Sequence, residues 1–93
     1  MTDMMYLQIA EKVGAIARGD ERPNNILGST TVRLAVGLIV DNLEATNPNF
    51  GNPTKLSAWT VLDTIQRQVV ADMNPEFRKR KWQRLPLPYG VPM

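Results

Sequence analysis

The chain has 93 residues, 11 Lys/Arg against 9 Asp/Glu, and a formal net charge of +2 at pH 7. That length allows one domain at most, with a small interior. It holds no Cys and no His, which excludes disulfides, thiolate or imidazole metal sites, and the usual general base near neutral pH.

The charge is unevenly placed. Residues 1–77 carry a net of −3 and residues 78–93 a net of +5, with no acid among the latter. An acidic body with a basic end points to an interaction rather than to a need of the fold. The opening MTDMMYLQIAEKVG has neither the basic flank nor the apolar core of a secretory leader, and none is expected. The longest apolar run, 34–40, is too short to span a bilayer. A cytoplasmic setting, or one inside a virion, fits these features.

The first predicted element is a helix capped by Thr2 or Asp3. Met5, Ile9, Val13 and Ile16 recur at helical spacing, and Gly19 is a suitable stop. Its QIAEKVG stretch has the Ala-x-x-x-Gly spacing of helix-turn-helix readers, but the tight turn and full second helix that motif needs do not follow. GDERPNNILGS reads as a connection, with Ile26 and Leu27 pinning it to the core.

Ser29 or Thr30 caps a second helix running to about Ala45. It is apolar over most of its circumference, so it is either central or oligomeric. Its β-branched residues are compatible with a strand, but its length and charged positions favour a helix. Leu34 and Leu38 are expected to face a neighbouring molecule. Asn52 and Pro53 predict the start of a third helix, with Leu56, Trp59, Leu62, Ile65, Val69 and Met73 on one stripe. Asp63 and Arg67 are spaced for an outer i,i+4 pair. Asn74, Pro75 and Glu76 repeat the start signal for a short basic helix over 75–83. Alternating prolines then force an extended stretch. The pattern predicts an all-α fold: a bundle of three main helices plus the short basic helix over 1–84, and an extended proline-rich arm over 85–93.

Catalytic chemistry is poorly supported. Ser29 and Ser57 have no histidine to activate them, Asp41 and Glu44 read as a solvated helix face, and no phosphate loop or EF-hand is present. No cofactor, metal or small-molecule substrate is expected, and no membrane. The informative features are two. Arg78, Lys79, Arg80, Lys81 and Arg84 form a basic cluster suited to an acidic protein or to nucleic acid. Trp82 there can stack on an unpaired base or, with Phe77, anchor the helix on the bundle. Leu85, Leu87, Tyr89 and Val91 make the arm apolar, so it is expected to lie on a partner subunit or on the chain's own bundle, and prolines lower the entropy cost of docking it. The expected function is a non-catalytic assembly protein that packs with copies or partner subunits and docks its arm on them, a build that suits a virion or phage component. The alternatives are a nucleic-acid-binding accessory factor using 77–84, and a small inhibitor or regulator of a larger complex.

Overall fold

The computed structural model describes residues 3–48, 51 and 53–87. These form α1 (Met4–Arg18), α2 (Thr30–Val40), α3 (Leu43–Thr46), α4 (Lys55–Thr60), α5 (Thr64–Met73) and α6 (Arg80–Gln83), with 3-10 turns at Pro23–Asn25 and Pro75–Arg78. Among the described residues there is no strand, and the fold is a small all-α bundle.

Local chemistry sets the first helix. The Asp3 carboxylate accepts from the Met5 N–H at 2.7 Å, and Gly19, at φ 80°, closes the other end by donating to Ala15 and Ile16. Ile9 and Val13 face inward. In the connection that follows, Ile26 is buried as expected, whereas Leu27 stands in solvent.

The second helix is shorter than its apolar pattern implies. Asp41 takes a left-handed conformation at φ 58° and ends α2 at Val40. Asn42 then caps α3 through the Ala45 N–H. The chain reverses here because Gly37 has no side chain. A Cβ at Gly37 would overlap Thr46 Oγ1 and lie 2.9 Å from Leu43 Cδ2. α3 can therefore fold back directly over α2.

α2 is the central element, packed against α1, α3, α4 and α5. Leu34 and Leu38 are 0 % and 1 % exposed. The expectation that they face a neighbour is corrected: this chain's own helices cover them. Burying a leucine so completely contributes about 2 kcal/mol, which explains why so apolar a helix belongs in the middle.

The predicted third helix is two helices. α4 starts at Lys55 behind Thr54, later than Pro53 implies, because Thr54 and Ser57 form a reciprocal capping box. Asn52 lies outside the described residues. The helix then breaks over 61–63, where Asp63 caps α5 by accepting from the Gln66 N–H at 2.8 Å while the Gln66 side chain accepts from the Asp63 N–H. The apolar stripe hides this break, since Leu62 is buried within it. The predicted fourth helix divides too. Extended backbone at Lys79 (ψ 147°) separates the Pro75–Arg78 turn from α6.

These short segments are held by an aromatic cluster. Trp59 stacks on Phe77 with ring centroids 5.2 Å apart, and Trp82 meets both rings, at 6.0 Å and 4.8 Å. The Trp59 indole N–H donates to the Trp82 carbonyl at 2.9 Å, so the buried polar end of the ring is satisfied.

Candidate interaction surface

Arg67 occupies the inner side of α5 rather than an outer ion pair with Asp63. The break over 61–63 interrupts the hydrogen-bond ladder at the end of α4, where Trp59 O accepts from the Leu62 N–H at 3.2 Å. Arg67 adds to this end: its Nε donates to Trp59 O at 3.1 Å and its Nη2 to Thr60 O at 3.4 Å. The other edge of the guanidinium reaches the C-terminal stretch. Nη1 donates to Leu85 O at 2.7 Å and Nη2 to Pro86 O at 2.9 Å. Leu85 and Pro86 lie beyond the end of α6, and Leu85, which precedes a proline, disfavours a continued helix, so their carbonyls are available to Arg67.

The guanidinium carbon sits 5.2 Å from the Trp59 ring centroid, and the residue is only 8 % exposed. Burial pulls its pKa below the usual arginine value, but an arginine remains charged. A buried cation with neutral acceptors on every side is thus the fastener between body and arm. Leu85 packs partly buried against the core, and Leu87 is half-buried. Tyr89 and Val91 lie outside the described residues.

The five basic residues divide into separate roles. Arg78 donates to the carbonyls of Ala71 and Asp72, each at 2.7 Å, and so closes the end of α5. Asp72 is also the acceptor for the Tyr6 hydroxyl at 2.7 Å, which raises the Tyr6 pKa and ties α1 to α5. Lys79 and Lys81 lie 2.9 Å and 3.8 Å from the Glu76 carboxylate. The Trp82 indole N–H donates to Glu76 at 3.0 Å. That hydrogen bond first, and the two lysines with it, pull the Glu76 pKa down to about 2. Arg80 and Arg84 are exposed and, among the described residues, make no ion pair or side-chain hydrogen bond.

Trp82 is buried, with Lys81 Nζ lying 5.1 Å from its ring centroid. Its expected roles as a partner anchor or a stacking platform are corrected, because its faces are already used within the chain. Ser29 and Ser57, the weak nucleophile candidates, are occupied as helix caps.

Several features of the surface carry no sequence motif. Met4, Leu7, Leu27, Leu56, Val61 and Met73 are large apolar residues left in solvent. A cleft of about 250 Å³ lies between α1 and the segment around Leu27, lined by Gln8, Glu11, Lys12, Ala15, Glu21, Ile26 and Leu27. A second hollow of about 290 Å³ sits at the end of α2, where Asp41 pairs with Lys55 at 3.7 Å. Among the described residues, no group of three or more Asp or Glu is placed to hold a metal, and no helix is long and apolar enough to cross a membrane. No family model, curated protein or solved structure matches this chain.

Proposed function

We propose that this chain is a non-catalytic assembly protein: a small helical body that packs with copies of itself or with partner subunits and offers them its C-terminal arm. The observation that carries this reading is the Arg67 fastener, which grips the carbonyls of Leu85 and Pro86. It gives the residues beyond Leu87 a fixed point of departure. An arm that starts from a defined place and is stiffened by proline loses less entropy on docking than a free tail would. Leu56 and Val61, both exposed on or just after α4, add apolar surface on the element whose end Arg67 also holds. The nucleic-acid alternative loses its stacking residue, since Trp82 is buried, and retains only phosphate contacts.

The test is light scattering on the full chain and on a chain cut after Leu87. The full chain is expected to form complexes that the cut weakens, with the same helical content by circular dichroism. A full chain that stays monomeric up to about 1 mM, where any contact worth more than about 4 kcal/mol would register, overturns packing between copies. A cut chain that assembles as well as the full one overturns the role of the arm.

A further inference from the structure

We infer that the cleft beside Leu27 is the seat for the α6 ridge of a second copy of this chain, so that copies join head to tail. This rests on the assembly reading and names the surface that receives the neighbour. Leu27 is 79 % exposed at a cleft it shares with Ala15 and Ile26. The same cleft carries Glu11 and Glu21. Among the described residues neither carboxylate is in an ion pair, and Glu21 accepts only from the Arg22 backbone N–H, at 3.2 Å. The remaining charged group there is Lys12, whose Cε lies 3.6 Å from where a Cβ on Gly28 would sit.

The complementary surface is on α6. Arg80 and Arg84 are exposed one helical turn apart, and among the described residues neither has an acceptor. The contact brings together two guanidiniums and two carboxylates that, among the described residues, are in no ion pair, a pairing that planar arginine makes well. The aliphatic stems of the arginines can cover Leu27 while their heads reach the acids. The charge of the whole chain has the same sense, with −3 on residues 1–77 and +5 on residues 78–93. Exposed ion pairs add little affinity, so these set register and salt dependence while the covered leucine supplies apolar burial.

The two surfaces belong to different parts of the fold: α1 packs on α2 and α5, whereas α6 packs on the Pro75–Arg78 turn. A contact in which one cleft meets one ridge is heterologous. Each joined pair then keeps one free cleft and one free ridge, and repetition gives a closed ring or an open filament.

The test is sedimentation velocity on the full chain at low and high salt, with three variants: Arg80→Glu with Arg84→Glu, Glu11→Lys with Glu21→Lys, and all four together. All four positions are exposed, so the fold is expected to persist, with circular dichroism as the check. The expected result is self-association weakened by salt, an apparent Kd raised at least about tenfold in either double variant, and recovery in the fourfold variant, where the reversed charges match again. A monomeric full chain at low salt overturns the inference, as does loss in both double variants without recovery in the fourfold one. Association that survives both reversals but is lost on cutting after Leu87 overturns this seat and leaves the arm reading standing. Association lost on reversal but indifferent to the cut supports the seat and removes the role of the arm.

Discussion

Arg67 Nη1 donates to the carbonyl of Leu85 at 2.7 Å across eighteen residues of chain. That bond, with its companion to Pro86, makes the beginning of the arm part of the folded body. Hydrogen bonds from a charged donor are the stronger kind, and the acceptors are neutral carbonyls for which, among the described residues, Arg67 is the donor.

Arg67→Ala is expected to cost about 3 kcal/mol of stability, because it removes several charged-donor bonds at a buried position. Arg67→Lys should recover only part of that, since a point charge cannot span four carbonyls. Urea denaturation followed by tryptophan fluorescence measures both. A loss under about 1 kcal/mol for Arg67→Ala would show that the fastener is not what holds the arm.

What the sequence discloses here depends on how local the cause is. α1 is legible because its cap, its stripe and its terminal glycine all lie within the helix or next to it. The end of α2 is not, because it depends on Gly37 meeting Thr46 and Leu43 after a reversal, and nothing in the apolar run signals that encounter. The break between α4 and α5 is hidden by a stripe that continues through Leu62, although the Asp63–Gln66 capping box is a local signal that marks it. Arg67 is the hardest to read. Its spacing from Asp63 implies a surface pair, while its real partners are backbone carbonyls with no side-chain signature. The basic cluster is visible as composition, but its division into Arg78 at the end of α5, two lysines on Glu76 and two arginines that, among the described residues, are in no ion pair needs the backbone break at Lys79.

Gly37→Ala tests the reversal. In an ordinary helix interior this change stabilises by about 1 kcal/mol. Here the new methyl would overlap Thr46 Oγ1 and approach the Leu43 Cα to 3.1 Å, so a loss of about 2 kcal/mol is expected instead. Thr46→Ala in the same chain should return part of it, and the two changes should not add. Thermal melts of the single and double variants read the sign directly.

Glu76 gives a pH dependence with a definite direction. Its carboxyl is pulled from the ordinary 4.5 to about 2, chiefly by the Trp82 indole N–H and then by Lys79. A carboxyl with a lowered value in the folded state stabilises the fold above its unfolded pKa and loses that contribution as pH falls through the folded one. Wild-type stability should therefore drop between about pH 4.5 and about pH 2. Glu76→Gln should start lower at neutral pH and lack that part of the acid dependence. Denaturation midpoints at a series of pH values decide it, and parallel curves for the two proteins would remove Glu76 as the cause.

The position of a C-terminal cut separates the fastened part of the arm from the rest. A chain ending at Leu87 keeps the carbonyls of Leu85 and Pro86, and its stability is expected to match the full chain within about 0.5 kcal/mol. A chain ending at Arg84 loses both acceptors and the partly buried Leu85. It leaves the Arg67 guanidinium with only the α4 carbonyls, and should be weaker by about 2 kcal/mol or more, since an unsatisfied buried donor bears its full desolvation cost. Adding Arg67→Ala to that shorter chain should cost much less than it does in the full chain, because both changes remove the same bonds. Equal costs in the two backgrounds would mean that Arg67 stabilises the break between α4 and α5 alone, and that the arm rests on the body without it.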